Sequence, residues 1–449
     1  MRSGSDGEMA VAAEAGVARA APGASARYAA IGLIALALLS GQAARYAVSP
    51  LTELIKADLR LDDNHVALLQ GMSIALPTAL MSIPLGRLVD RANRTRLLVV
   101  LALVCVAGSL LTAFAGEFPV AFLARMLVGA AVIGAQPAAL SLVADLTEPA
   151  TRGRMITLVS IGQAIGGSLG YAFAPPLLRG LPALLQAAGV PVAWAPWRLV
   201  EVAFALAVLA TTVPLVAMRE PARREAGPAG GASLRRALSE LASYRRFLLP
   251  LVGGMVTVGM ADAAAAIWAV PVLTRGFHQK PEDFGAWLGL VNLASSIVGA
   301  VLGGWMADWG QRRGGGRAGA LLGAAVGAAV AVPAALFPVM PDVTGFALAL
   351  GLFLTCGAWV NIAATSSVMV ILPNELRGTF ICLLVAAIGM TAYGIAPLLV
   401  SFGAGLAARN ADIALSLAVV GLVTSVLGVV SFLMALRAAR TLPPTGGRP

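Results

Sequence analysis

The chain has 449 residues, of which 59% are apolar and only 12% are charged. Soluble domains carry about 25% charged residues, so this composition excludes a protein whose surface lies mostly in water. The net charge of +10 would suit a nucleic-acid partner, but the basic residues occupy short segments between long apolar runs. We therefore expect a chain embedded in membrane lipid, with no nucleic-acid partner.

Twelve apolar runs are each long enough to cross a bilayer as a helix, which takes about 20 residues. In chain order the predicted spans are 28–50, 66–86, 97–115, 119–144, 156–178, 197–218, 247–274, 284–306, 318–338, 343–371, 380–405 and 413–436. The runs 119–144 and 343–371 are long and are expected to tilt or protrude. The predicted fold is an all-α membrane protein with twelve transmembrane helices in two six-helix bundles.

One long polar connection divides the chain near its middle. The predicted parts are a tail (1–27), an N-terminal bundle (28–218), a linker (219–246), a C-terminal bundle (247–437) and a second tail (438–449). The glycine- and proline-rich centre of the linker indicates a flexible connection. Its last part, SLRRALSELASYRR, fits either a short amphipathic helix on the membrane surface or a disordered basic segment.

The basic residues of the connections predict the orientation, because arginine and lysine are enriched in cytoplasmic loops. With a cytoplasmic N-terminus, the inner segments hold 23 basic residues and the outer segments hold 7. We expect a multi-pass protein of the cell membrane with both termini in the cytoplasm. The arginine bias suits a GC-rich bacterial genome, so the expected location is the bacterial inner membrane.

Neither the cysteines nor the histidines predict a metal site or a disulfide. Cys105, Cys356 and Cys382 lie inside apolar runs, and His65 and His278 are far apart in sequence. The spans contain no Ser/His pair, no HExxH motif and no paired acids. We therefore expect no metal, no cofactor and no enzymatic activity.

Two short motifs recur in the two halves of the chain. GRLVDRANRTR (86–96) follows the second span and GWMADWGQRRG (304–314) follows the eighth, while PATRGRM (149–155) recurs as ELRGTFI (375–381). The lags of 218 and 225 residues are nearly equal, which predicts a parallel repeat of a six-span unit. The matched pairs are Gly86 with Gly304, Asp90 with Asp308, Arg94 with Arg312, and Arg152 with Arg377.

The motif at 86–96 resembles the signature G-x-L-x-D-R-x-x-R-x-R between the second and third helices of major facilitator transporters. RMLVGAAVIG (125–134) resembles the R-x-x-x-G signature of their fourth helix. SGQAARYAVSPL (40–51), the stretch 125–146 and the WR at 197–198 resemble the spinster-type branch, and the anion:cation symporter branch shares several of these features. The spinster-type branch transports lysolipids, sphingosine phosphate or related amphiphilic anions. The resemblance implies a monomeric carrier that works by alternating access on a small-molecule or lipid-like substrate.

Two positions depart from the pattern of these branches. The residue before the first-helix arginine is usually Asp and is Ala44 here, and the residue seven after the fourth-helix arginine is usually Glu and is Val132 here. Those acids are the usual candidates for proton coupling. Their absence argues against proton symport by the family's route.

The resemblance gives the repeated loop motif a gating role. A glycine allows close helix approach, and an aspartate can accept hydrogen bonds from helix N-terminal amides and pair with arginine. We expect these groups to latch the cytoplasmic ends of the bundles together in the outward-facing state. The predicted gating residues are Gly86, Asp90, Arg94, Arg152, Gly304, Asp308 and Arg312. Solvated charges that only set the topology are the alternative.

Polar side chains inside a span avoid lipid and therefore face the bundle interior or a water-filled cavity. Arg45 and Asp262 are expected at similar depth near the axis, with Arg125 as a second cation nearby. Two arginines and one acid favour an anionic or amphiphilic substrate, because guanidinium groups bind carboxylate and phosphate with paired hydrogen bonds. The predicted substrate-binding residues are Arg45, Arg125, Gln42, Gln136, Asn292 and Asn361.

Asp262 has two predicted roles. It is either the coupling group or a conformational latch, and an Arg45–Asp262 salt bridge that never touches substrate is a further alternative. The sequence as a whole predicts a secondary transporter of a small organic anion or a lysolipid-like amphiphile. The alternatives are a proton-coupled drug or cation exporter and a transporter-like protein without turnover.

Overall fold

The computed structural model describes residues 24–191, 193–221, 223, 234–315, 318–406 and 412–441. Within these ranges the secondary structure is helical and without strands, which confirms the predicted all-α fold. Most of both predicted tails, and the glycine- and proline-rich centre of the linker, lie outside these residues.

The N-terminal bundle contains six long helices. They are α1 (Ala24–Ala47), α2 (Ser73–Arg91), α3 (Arg94–Phe114), α4 (Phe118–Leu146), α5 (Pro149–Ala187) and α6 (Pro196–Val216). Short helical turns at Ser49–Leu51, Thr52–Asp58, Asp63–Ala67 and Leu68–Met72 connect α1 to α2. A capping residue fixes the start of α3, because the Asn93 side chain accepts a hydrogen bond of 2.8 Å from the Arg96 amide.

The C-terminal bundle repeats this arrangement. Its helices are α7 (Arg245–Pro271), α8 (Pro281–Gly310), α9 (Gly319–Ala334), α10 (Val343–Ile371), α11 (Asn374–Ile388, continued through a π-helical stretch at Gly389–Ile395 to Ala396–Leu406) and α12 (Ile413–Arg440). Asp342 and Asp412 cap α10 and α12 in the same way that Asn93 caps α3. The last part of the linker forms a separate helix, Leu234–Ser243.

Eleven helices in the described part of the chain are long and apolar enough to cross a membrane. The twelfth is α2, which contains Pro77 and Pro84 and ends in charged residues. The expectation that 119–144 and 343–371 are the long spans was incomplete, because α5 has 39 residues and is longer than either. The predicted span ends at 178, before Arg179, whereas the helix itself continues to Ala187.

Small residues allow the helices to pack closely. A Cβ atom at Gly166 or Gly170 of α5 would collide with the backbone of α1. A Cβ at Gly289 of α8 would lie 2.6 Å from the Ser168 carbonyl oxygen on α5, and one at Gly71 would collide with the Tyr393 carbonyl. Close contacts of α8 with α5, and of α11 with the start of α2, therefore join the two bundles.

The two ends of the molecule differ. Odd-numbered helices start, and even-numbered helices end, on the side of the chain termini, which we call the termini end; the opposite side is the far end. The two bundles meet at the far end, for example where the Ser49 hydroxyl donates to the Ala266 carbonyl over 3.2 Å. At the termini end, a Cβ added to Gly86, Gly153, Gly304 or Gly378 would meet no atom within 4 Å. The contacts between the bundles thus gather at the far end.

Candidate functional site

Arg45, near the far end of α1, lies between the two bundles. Its guanidinium carbon is 5.1 Å from the ring centroid of Tyr46 and 5.1 Å from that of Tyr393 on α11. Tyr171 of α5 packs beside Tyr46, with ring centroids 5.7 Å apart. Arg45 Nε is buried and has no hydrogen-bond partner within the described residues. The Arg45 cation thus lies between aromatic rings from both bundles, and its Nε–H donor is available for a ligand.

Arg125 of α4 is the second predicted cation. Its Nη2 donates a hydrogen bond of 2.8 Å to the Arg45 carbonyl, so the structure brings the two arginines together. Arg125 is only 2% exposed, however, and is enclosed by the N-terminal bundle. Its Nε and Nη1 have no partner among the residues that the structure describes.

Gln42 lies one turn before Arg45 and faces a small cavity inside the N-terminal bundle. Residues of α1, α3, α4, α5 and α6 line this cavity, among them Cys105, Val132 and Gln163. Gln42 Oε1 is buried without a hydrogen-bond partner in the described part of the chain. Gln42 thus faces the bundle interior, as does Val132, which occupies one of the two positions where the resemblance implies an acid.

The predicted amide residues are not gathered at Arg45. Asn292 of α8 donates from Nδ2 to the Ser168 hydroxyl on α5 over 3.0 Å, which ties the bundles together near the centre. Gln136 and Asn361 occupy equivalent positions, 18 residues after the start of α4 and α10, and both are exposed. Gln136 follows Arg125 by 11 residues, or about 16 Å along the helix.

Asp262 lies inside the C-terminal bundle. Its carboxylate packs so closely on Gly357 of α10 that a Cβ there would collide with it. The surrounding cavity is lined by residues of α7, α9, α10 and α12, among them Phe353, Cys356 and Ser425. In the described residues no ion pair joins Asp262 to Arg45, because α7 directs the carboxylate toward the space that Gly357 leaves on α10. The alternative of an Arg45–Asp262 salt bridge is therefore wrong for this conformation.

An ion-pair cluster closes the far end. Arg275, just after α7, donates from Nε and Nη2 to Glu53 over 3.1 and 2.7 Å and from Nη1 and Nη2 to Asp63 over 3.0 and 2.8 Å. Lys56 also pairs with Asp63. Burial alone would raise the pKa of Asp63, but hydrogen bonds from Arg275 and Lys56 outweigh it and hold that pKa below its usual range.

The sequence did not identify this far-end cluster, because in the sequence Arg275 counts only toward topology. The signal that could have found it is the acidic character of the first outer connection, which holds Glu53, Asp58, Asp62 and Asp63. A second ion pair between the bundles, 2.8 Å long, joins Arg179 to Glu282 at the same end.

Arg94, a predicted gating residue, is buried at the start of α3. Its Nε donates to Glu220 over 2.8 Å and its Nη1 to the Ser141 hydroxyl over 2.9 Å, and it also forms an ion pair with Asp145. Although burial acts to raise the pKa of Glu220, hydrogen bonds from the Thr95 amide and from Arg94 keep it below the usual value. All these partners belong to the N-terminal half, so Arg94 does not bridge the bundles here.

The other predicted gating residues differ in their exposure. The Asp90 side chain lies outside the described part of the chain. Asp308 and Arg312 are exposed at the end of α8, and Arg152 is half-buried in the first turn of α5. Together with the open space at Gly86 and Gly304, this arrangement is the one expected when the termini end is open.

Solved structures with the same fold include a bacterial homolog of the human lysosomal transporter Spinster, in an inward-facing and unoccupied conformation. It superposes with a TM-score of 0.80 at 20% identity and covers 94% of this chain and 100% of its own. The occupied inward-facing structure gives a TM-score of 0.76 at 20% identity over 93% and 97% of the two chains. A point mutant of the nucleoside transporter NupG gives 0.70 at 11% identity over 91% and 99%.

Two curated relatives match part of the sequence. The facilitated glucose transporter member 12 of solute carrier family 2 from Danio rerio is 34% identical over 131 residues, which is 26% of this chain and 22% of the relative. The 3-(3-hydroxy-phenyl)propionate transporter of Escherichia coli (strain K12) is 35% identical over 106 residues, or 23% and 26%. The chain thus spans about a quarter of the length of the curated relatives that it matches.

The family assignment rests on a longer match. The profile described as Major Facilitator Superfamily covers residues 34–399, which is most of the chain. That match includes Arg45, both copies of the loop motif and the helices that join the two bundles. The chain is therefore a multi-pass membrane transporter that belongs to the major facilitator superfamily.

Proposed function

We propose that this transporter carries an organic anion whose carboxylate or phosphate group binds Arg45. The observation that carries the proposal is the setting of that side chain. Arg45 lies between Tyr46 and Tyr393, and its buried Nε lacks a hydrogen-bond partner among the described residues. A guanidinium group offers paired N–H donors to a carboxylate or phosphate, and the tyrosine faces suit an apolar or aromatic substrate body.

Two substrate classes fit this chemistry. An aromatic carboxylate is supported by the partial match to a 3-(3-hydroxy-phenyl)propionate transporter. A lysolipid-like amphiphile is supported by the spinster-type pattern at 40–51 and 125–146. Both classes place one anionic group on Arg45 and leave the apolar part to the space between the bundles.

The difference between the two ends supports transport by alternating access. The cluster at Arg275 holds the far end closed, and the termini end is open. With cytoplasmic termini, as the arginine distribution predicts, this conformation is inward-facing. In our proposal the bundles 28–218 and 247–437 move as two bodies of a monomer in the bacterial inner membrane. The opposite state is latched at the termini end by Gly86, Asp90, Arg94, Arg152, Gly304, Asp308 and Arg312.

The remaining polar residues have proposed places along the path. Gln136 and Asn361, which are exposed, would meet the substrate near the termini end. Asn292 would contact it near the centre, and Gln42 would act from inside the N-terminal bundle, one turn before Arg45. Arg125 would act by holding the backbone of Arg45. Asp262, enclosed by the C-terminal bundle, is proposed as a latch or coupling group of that bundle.

A thermal-shift comparison tests the substrate class. Wild type and Arg45→Gln, purified in detergent, are screened with 3-phenylpropionate, lysophosphatidate and tetraphenylphosphonium. A ligand at about 100 times its dissociation constant should stabilise the wild type by about 2.7 kcal/mol. We expect one of the two anions to raise the melting temperature of wild type but not of Arg45→Gln.

Arg440→Gln is the matched control, because Arg440 is an exposed arginine at the termini end. It should respond to the anion as wild type does. Equal stabilisation of wild type and Arg45→Gln by tetraphenylphosphonium, with no effect of either anion, would instead support a cation exporter.

A further inference from the structure

A second group of polar residues extends from Arg45 into the N-terminal bundle, away from the space between the bundles. Each member is within about two turns of the far end of its helix. Each also has at least one buried nitrogen or oxygen without a hydrogen-bond partner in the described chain. The members of this N-bundle polar cluster are Gln42 and Arg45 of α1, Ser109 of α3, Arg125 of α4 and Glu201 of α6.

Glu201 is the acid of this cluster. Its side chain is completely buried, and neither carboxylate oxygen has a hydrogen-bond partner among the described residues. A charged carboxylate is costly to bury without hydrogen bonds, whereas a neutral carboxyl group is much less so. The charged form therefore has to be stabilised by a neighbouring cation or by water.

Arg125 is the cation that can stabilise the ionised Glu201 carboxylate. Within the described residues, two titratable groups interact electrostatically with Glu201: Arg125 of α4 and Cys105 of α3. Arg125 in turn interacts electrostatically with Arg45. Arg125 uses Nη2 to hold the Arg45 carbonyl, and its Nε and Nη1 are unused. No ion pair between Glu201 and Arg125 is formed in the described structure.

We infer that Glu201 binds and releases the proton that couples this carrier to a proton gradient, with Arg125 linking it to Arg45. With Glu201 protonated, Arg45 and Arg125 are two uncompensated cations, and the region attracts an anion. With Glu201 ionised, its charge offsets Arg125 and draws it away from the Arg45 carbonyl, so anion binding weakens. Proton and anion thus favour each other's binding, and by linkage the effect is mutual.

This coupling deepens the proposed anion transport and rests on it, but the proton site can be tested without any substrate. Purified protein in lipid is compared at pH 5 and pH 9 by infrared difference spectroscopy, which detects the C=O stretch of a protonated carboxyl group. Wild type should show a band from a buried carboxyl group that Glu201→Gln lacks. The variant Glu201→Asp should shift the band, which keeps the test valid if Glu201→Gln folds poorly.

Two further variants complete the test. Glu117→Gln, an exposed acid just before α4, should leave the band unchanged. A band that disappears in Asp262→Asn and persists in Glu201→Gln would overturn the proposal, as would the absence of any titrating buried carboxyl group in wild type.

Uptake of radiolabelled 3-phenylpropionate into proteoliposomes then tests the coupling. A gradient of one pH unit should raise its accumulation by wild type about tenfold for each coupled proton. Glu201→Gln should show uptake that no longer responds to the gradient. Gradient-driven uptake by Glu201→Gln would overturn the coupling role. Absence of uptake by wild type, with the infrared band present, would count against the proposed substrate and not against the proton site.

Discussion

At the scale of single residues, Arg94 shows how one buried charge organises the termini end. It lies at the start of α3 and contacts Asp145 at the end of α4 and Glu220 just after α6. Two helix ends of the N-terminal bundle and the start of the linker therefore share one guanidinium group. Two carboxylates share its single positive charge, so removal of the guanidinium group would leave two negative charges close together.

We predict that Arg94→Gln destabilises the protein by about 3–5 kcal/mol, the range for removing one partner of a buried ion pair. The loss comes mainly from Asp145, since Glu220 is partly exposed to solvent and partly screened. Arg94→Lys keeps the charge but not the paired hydrogen bonds, so its stability should lie between those of wild type and Arg94→Gln. Thermal unfolding of the three proteins in one detergent is the measurement, and a wild-type melting temperature for Arg94→Gln would contradict the prediction.

Asp63 gives the far end a predicted pH dependence. Its folded-state pKa is lowered, so its contribution to closure is present above the usual carboxyl range and is lost as pH falls through the lowered pKa. We predict that acid loosens the far end and that Asp63→Asn loosens it already at neutral pH. Spin labels at the exposed positions Ala57 and His278 report the distance between the bundles there.

The label distances should broaden toward longer values on acidification of wild type. In Asp63→Asn they should be broad at pH 7 and change less with pH. Asp62→Asn is the control, because Asp62 bonds His65 within its own segment and not the other bundle. Identical distances at neutral and acidic pH in wild type would show that Asp63 does not hold the gate.

At the scale of helices, the four glycines of the repeated motifs stand out. Gly86, Gly153, Gly304 and Gly378 lie inside helices, where glycine is about 0.5–1 kcal/mol less favourable than alanine. None of them has a neighbour that would exclude a Cβ in this conformation. We therefore propose that these positions pack closely in a different conformation, in which the termini end is closed.

We predict that Gly153→Leu and Gly378→Leu leave the folded state at least as stable but block transport. The added side chains fit the open termini end and would collide when it closes. Gly32→Leu is the matched control, because Gly32 also lies in a helix without close neighbours but outside the repeated motifs. Melting temperatures and proteoliposome uptake are measured together, and full uptake by the double variant would contradict the gating role.

The helices also show what the sequence could and could not predict. The long apolar runs of the sequence predict most helix ends to within a few residues, because these ends depend on hydrophobicity alone. The predicted span 343–371, for example, coincides with α10. The extension of α5 to Ala187 was not predictable, since a helix can continue into water. The pairing of Arg45 with Tyr393 was also out of reach, because it depends on how two bundles distant in sequence are packed against each other.

At the scale of the whole molecule, the two bundles differ in charge. The N-terminal bundle places Arg45 between the halves and encloses Arg125 and Glu201, whereas Asp262 lines a cavity inside the C-terminal bundle. The corresponding inner cavities are lined by equivalent helices of the repeat. Similar scaffolds therefore carry different polar groups, and we assign anion binding to the N-terminal bundle and a counterpart latch to the C-terminal one.

We propose that the far-end cluster also sets which state of the carrier predominates. Arg275 joins Glu53 and Asp63 of the other bundle, and no equivalent ion pair joins the bundles at the termini end among the described residues. A carrier biased to one state must break these contacts to turn over, so each bond that holds the gate shut also slows opening. We therefore expect substitution of Arg275 to change the turnover rate and not the substrate affinity.

Uptake of radiolabelled 3-phenylpropionate and lysophosphatidate into proteoliposomes tests anion transport through Arg45 most directly. The proteins compared are wild type, Arg45→Gln and the control Arg440→Gln. We predict saturable uptake of one anion by wild type and Arg440→Gln, and its loss in Arg45→Gln. Equal uptake by wild type and Arg45→Gln would contradict the role of Arg45. Binding of an anion without uptake by wild type would show a transporter-like protein without turnover.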